Sequence, residues 1–149
     1  MHFHAAVSFA DKLDGDIHKV YFTTRVSNNQ AHTAFVDIDI QNPLEILSIA
    51  KPLVLAPSIL GGFDDSGAMG CWLTKDKGTS YFYYLGWNLG VTVSFENSIG
   101  LAISDSNSNF LRYSPGPVLD RSMFEPHFTA TPCVIVENER CGTCHAPSG

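Results

Sequence analysis

GGFDDSGAMGCWL at residues 61–73, TSYFYYLGWNLG at 79–90 and SIGLAISDSNSNFLRY at 98–113 are short apolar or alternating runs, each bounded by Gly, Asp, Asn or Ser. That spacing predicts an antiparallel meander with polar corners. Lys77-Gly78 supplies the first turn, and the longer loop from Trp87 to Asn97, with Gly90 in its middle, supplies the second. Two adjacent carboxylates, Asp64 and Asp65, sit in the glycine-punctuated turn that enters the first run, so one stretch carries both a fold signal and a site signal.

Upstream, His18 to Arg25 (HKVYFTTR) reads as a strand closed by the polar turn SNNQ. Ala31 to Ile40 alternates with period two, placing Ala34, Val36, Ile38 and Ile40 on one side and Phe35, Asp37 and Asp39 on the other. Asn42-Pro43 breaks the run, and Leu44 to Ile49 gives a further short strand. Pro52 to Gly62 is a connector whose Leu53, Val54 and Leu55 can plug a gap between packed units. VYFTTR and its followers recur loosely as YFYYLGW and its followers, and a third group opens with PCVIVEN at 132–138. The expectation is an all-β chain of propeller-like blades, with a β-sandwich or irregular barrel as alternatives. No segment has a sustained helical amphipathic pattern; Asn42 to Ile49 comes nearest.

The 149 residues are the size of one domain, read as 1–149 with an atypical tail at 140–149. Nine basic against fifteen acidic residues, a formal net charge of -6, argue against nucleic acid or an anionic membrane as partner. Charged residues make up 16%, below the ~25% usual for soluble domains, so part of the surface is expected to face another chain. The first residues lack a signal-peptide pattern and no stretch reaches the ~18 apolar residues of a membrane span, which makes the cytoplasm the default location. Cys71 and Cys133 then read as buried thiols.

Asp64 or Asp65 could bind sugar hydroxyls or tune a nearby acid by like-charge repulsion, or simply cap an Asx-type turn before Gly67. Glycoside chemistry needs a second carboxyl across the scissile bond, and Glu125 in RSMFEPHFTATP is the candidate, with an exposed loop acid as the plain alternative. Arg121 could pair with Glu125 or with Asp120. Trp87, Asn88 and Phe95 could give a sugar ring an apolar platform and an amide contact, or pack a loop. His4 and His127 are either polar site residues or surface imidazoles. The tail Cys141-Gly-Thr-Cys144-His145 matches a haem-attachment pattern locally, and with Cys133 it has zinc-ligand types, but neither context is met, so no metal and no cofactor are expected. Phosphate-loop, dinucleotide, zincin and serine-esterase signatures are missing from the sequence.

Seven segments in order give the chain a family likeness: HAAVSFA (4–10), VYFTTR (20–25), GGFDDSGAM (61–69), YYLGWNLGVTV (83–93), NSIGLAIS (97–104), YSPGPVLDRS (113–122) and EPHFTATPCVIVE (125–137). From about His4 to Glu139 the chain resembles the first half of bacterial five-bladed β-propeller predicted glycosylases, related to glycoside hydrolase families 43, 32 and 68. The resemblance implies a funnel-shaped sugar site at one end of the propeller axis. It implies that one aspartate of the Asp64-Asp65 pair and Glu125 are the catalytic carboxylates and that Trp87, Asn88, Arg121 and His127 border the funnel; His4 is taken with them as a candidate substrate contact. Such propellers are about twice this length, so the expected architecture is a truncated propeller of two to three antiparallel blades, completed by a second copy in a homodimer. The implied function is oligosaccharide binding or glycoside hydrolysis, with a non-catalytic, self-associating remnant of a glycosidase propeller as the alternative.

Overall fold

A computed structural model describes residues 5–51, 53–105, 109–126, 128–137 and 140–144. The described residues form β-strands, turns and loops without a helix. Strands β1 (Ala5–Asp14), β2 (Ile17–Arg25), β3 (Ala31–Asp39) and β4 (Ile46–Ile49) pair consecutively and antiparallel. Strands β5 (Gly67–Asp76), β6 (Thr79–Asn88), β7 (Glu96–Ser104) and β8 (Leu111–Arg112) repeat that order. A single parallel bridge, Ala31 to Gly67, joins the two meanders into one mixed sheet of eight strands. Strands β9 (Cys133–Glu137) and β10 (Arg140–Cys144) form a separate hairpin, tied to β5 where the Trp72 indole donates to the Val134 carbonyl at 2.8 Å.

The core lies between the meanders and is largely aromatic. Phe9 of β1 stacks on Tyr21 of β2 at 5.0 Å between centroids, Tyr21 meets Phe82 of β6 edge-on at 5.1 Å, and Phe82 meets Phe110 at 4.8 Å. Each such pair adds about 0.5–1.5 kcal/mol beyond the area it buries. Alternation explains the supply on β6, where Ser80, Phe82 and Tyr84 are buried and the intervening Tyr81, Tyr83 and Leu85 are only half-buried. On β3 the sequence alternation is less decisive. Phe35, on the same side as Asp37, is half-buried against the core beside Tyr21 at 5.8 Å, while on the other side Ala34 is buried and Val36 and Ile38 are half-buried. The Lys19 ammonium lies 3.4 Å over the Phe35 ring and 3.5 Å from Asp37, which is how that mixed side is accommodated.

Three boundaries differ from the sequence expectation. AAVSFADKLD forms β1, a mostly exposed strand whose interior charges and register shift after Ala6 conceal any alternation. The tail segment read as atypical contains β10, paired along its length with β9. Trp87, Asn88, Glu96 and Asn97 belong to strands, so the loop expected over 87–97 shortens to 89–95. The connector behaves as expected: Val54 and Leu55 are buried, and the Thr33 amide donates to the Leu55 carbonyl at 2.9 Å.

One end of the molecule gathers several strand ends. The Ala31 amide donates to the Ser66 carbonyl at 3.1 Å, and the Ser66 amide donates to the Trp87 carbonyl at 3.2 Å. The start of β3, the entry to β5 and the end of β6 are thereby fixed beside one another.

Candidate functional site

Two adjoining cavities open at this end. One, of about 480 Å³, is bordered by Arg25, Asn29, Met69, Trp87, Phe95 and Asn97, among others. The other, of about 380 Å³, is bordered by Asn28, Gln30, Leu60, Asp65 and Ser66 together with Asn29, Trp87 and Leu89. The two share Asn29, Trp87 and Leu89.

Trp87 is only 7% exposed, and Gly67, its cross-strand partner, makes room for it. A Cβ at Gly67 would lie 2.0 Å from the Trp87 Nε1, so only glycine lets the indole lie down on β5. No protein acceptor for the Trp87 Nε1–H is found among the described residues. The Arg25 guanidinium lies 5.3 Å over the indole and donates to the Asn29 Oδ1 at 2.9 Å. Asn29 adopts a left-handed backbone (φ 63°) in the turn closed by its own amide on the Val26 carbonyl at 2.9 Å. Asparagine tolerates that conformation, so one residue both forms the turn and orients the arginine.

The adjacent aspartates part company. Asp65 borders the smaller cavity; its Oδ2 accepts from the Gly61 amide and its Oδ1 from the Ser66 hydroxyl, both at 2.9 Å. Asp65 thus ties the 61–66 turn through these two contacts, neither of which is the Asx-type bond to the backbone amide two residues on. Asp64 is 0% exposed and faces inward, where its Oδ2 accepts from Arg112 Nε at 3.0 Å and Nη2 at 2.7 Å. Arg112 also donates to the Ala56 carbonyl. Burial opposes the Arg112 cation, but the bonds to Asp64 and its charge outweigh it and hold the guanidinium above its ordinary value. Tyr84 lies against this pair, its phenol held above its usual range first by burial and then by the Asp64 charge. Asp64 is therefore placed as an internal latch between the 56–66 connector and β8, away from the walls of the two cavities.

Glu125 is half-buried in a tight turn in which its amide donates to the Ser122 carbonyl at 3.2 Å. It does not border the two cavities around Trp87. Arg121 pairs with Glu96 at 3.3 Å, rather than with Glu125 or Asp120 through its side chain, on the wall of a neighbouring cavity of about 540 Å³ that also includes Phe95. Asn88 is half-buried opposite Glu96, outside the residues bordering the two cavities. His4 and His127 lie outside the described residues, as do His145 and the side chains of Cys141 and Cys144. Cys71 is buried and Cys133 half-buried, both as free thiols. Arg25 and Asn29 escape a reading of the sequence because they look like an ordinary strand end and turn; only the bridge from Ala31 to Gly67 brings them to Trp87.

No protein-family model matches the sequence. Two proteins of Mycobacterium tuberculosis, Uncharacterized protein Rv1502 (strain H37Rv) and Uncharacterized protein MT1551 (strain CDC 1551), are each 36% identical over 132 residues, covering 89% of this chain and 44% of theirs. The chain therefore spans less than half the length of the curated relatives it matches. Among solved structures, a BT0996 RGII complex superposes with a TM-score of 0.65 and a glycoside hydrolase with 0.62, each at 14% identity over 89% of this chain and 44% of the neighbour. The GH43_1 enzyme from Xanthomonas citri complexed with xylotriose gives 0.58 at 15% identity, over 91% of this chain and 37% of that one. These likenesses show the fold, a β-rich glycoside-hydrolase-like, propeller-like architecture. Among the described residues, no helix is long and apolar enough to cross a membrane.

Proposed function

We propose that this chain is a carbohydrate-binding, glycosidase-like propeller segment whose sugar site is the pair of cavities sharing Trp87. The two meanders are read as successive blades and the β9–β10 hairpin as the opening of a third. The observation that carries the reading is the joint border of the cavities, where an indole, a phenyl ring, amides, a hydroxyl and one carboxylate converge on volumes suited to a short oligosaccharide. Sugar rings offer apolar C–H faces to aromatic surfaces and a rim of hydroxyls to amides and carboxylates.

Binding is favoured over self-contained hydrolysis. Hydrolysis needs two carboxyl groups flanking one bond; of the three acids expected to act, Asp65 borders the smaller cavity, Asp64 is held inside by Arg112, and Glu125 lies elsewhere. A second acid would have to come from outside the described residues or from another copy. The test is an oligosaccharide array followed by calorimetry on the intact chain. Saturable binding is expected, weakened about threefold to tenfold by Asn29→Gly, which keeps the turn geometry and removes the amide. A chain that binds no saccharide on the array refutes the reading, and release of reducing ends from a bound saccharide would replace it with catalysis.

A homodimer is the second proposal, supported by exposed apolar residues on one side of the first meander. Leu44 is 96% exposed, and all of β4, including Ile46, Leu47 and Ile49, is exposed. Such a patch together with an edge strand favours burial against another copy.

A further inference from the structure

We infer that the larger cavity selects an acidic saccharide, with the sugar carboxylate received by Arg25; this rests on the carbohydrate-binding reading above. Among the described residues, the border of that cavity contains one cation, Arg25, and no Asp or Glu. Among the described residues, the polar contacts of Arg25 are the neutral Asn29 amide oxygen at 2.9 Å and the face of Trp87 at 5.3 Å. Neither neutralises a full charge, although both fix the plane of the guanidinium. The nearest acids by position in the fold are already engaged. Asp65, across the shared wall, accepts from the Gly61 amide and the Ser66 hydroxyl. Glu96, next to Asn97 on β7, pairs with Arg121.

A pre-oriented guanidinium whose fork meets no carboxylate among the described residues, at the edge of a partly apolar cavity, matches the two-oxygen geometry of a carboxylate. Trp87 contributes its ring rather than its N–H here, since the Nε1–H is buried against Gly67. A guanidinium with no acid beside it among the described residues bordering the larger cavity, against a carboxylate in the adjoining one, gives the site a polarity. An acidic ring fits the Arg25 side, and a neutral ring, offering hydroxyl donors to Asp65, fits the other. The ligand class is therefore a uronic-acid-containing oligosaccharide rather than a wholly neutral one.

The experiment uses the intact chain on matched pairs of immobilised oligosaccharides, each uronate-containing glycan set beside its methyl-esterified counterpart, followed by calorimetry on the best pair. The free acids are expected to bind about tenfold to a hundredfold more tightly than their esters, with a preference that shrinks as NaCl rises. Arg25→Gln should bring the acid-to-ester ratio close to one, and Arg25→Lys should restore only part of it, because the charge remains and the fork is lost. Thermal melts of both variants identify any that fail to fold, and the wild-type ratio and its salt dependence stand independently of them. Equal binding of acid and ester by the wild type overturns the inference and leaves carbohydrate binding intact. Binding to neither overturns both.

Discussion

Arg112 carries the sharpest single-residue consequence for stability. Its carboxylate partner, Asp64, has a side chain only 1% exposed against 29% for the arginine. Arg112→Leu would leave a buried charge unpaired, and urea denaturation should show a loss of about 2–4 kcal/mol, discounted because the arginine is partly solvated. Asp64→Asn combined with Arg112→Leu should recover part of that loss, since the stranded charge is gone. A second residue-level consequence concerns alkaline pH. Burial pushes the Cys71 thiol up to about 11, and burial first, then Asp11 and Asp37, raises Tyr21, as burial and Asp64 raise Tyr84. A folded-state pKa above the unfolded one means that unfolding releases protons in that window. The stabilising contribution is thus complete below about pH 9 and declines as pH rises toward 11, by roughly 2–3 kcal/mol for the thiol alone. Denaturant midpoints measured from pH 8 to 11 should fall steadily, and Cys71→Ala should flatten the part of the fall that belongs to the thiol.

Strands β6 and β7 are plain in the sequence, because TSYFYYLG and SIGLAIS alternate and turn residues bound them. Strands β1 and β10 are not, because charges interrupt one and a Cys-Gly-Thr-Cys run disguises the other; pairing with β2 and β9 makes them strands. The aspartate pair is visible as a site signal, but the division of labour between Asp64 and Asp65 depends on Arg112, 48 positions away from Asp64. The strand glycines hold a further readable clue. Gly100 lies directly opposite Tyr84, and a Cβ there would sit 2.2 Å from the Tyr84 ring. Glycine inside a strand facing an aromatic marks where a ring lies across the sheet. Gly100→Ala should therefore cost about 1–3 kcal/mol in thermal or urea unfolding by displacing Tyr84 from the latch, far more than alanine costs at a solvent-facing strand position.

At the scale of the whole molecule, the packing of two four-stranded meanders through Phe9, Tyr21, Phe82 and Phe110 accounts for how the described residues of an aromatic, charge-poor sequence fold without helices. The proposed dimer predicts a doubled mass in light scattering at micromolar concentration, with Leu44→Glu and Ile46→Lys together shifting the chain to monomer; a wild-type monomer would exclude it. The proposed function rests instead on the end where Arg25, Asn29, Asp65 and Trp87 meet, and the two tryptophans offer an internal comparison there. Trp72 donates its indole N–H to the Val134 carbonyl at 2.8 Å, whereas Trp87, whose buried N–H has no protein acceptor among the described residues, borders both cavities with its ring. Following the two indole resonances by nitrogen–proton NMR while a uronate-containing oligosaccharide bound on the array is added should move the Trp87 signal saturably and leave Trp72 nearly still. A Trp87 resonance that stays fixed while that saccharide saturates the protein would contradict a sugar site at these cavities.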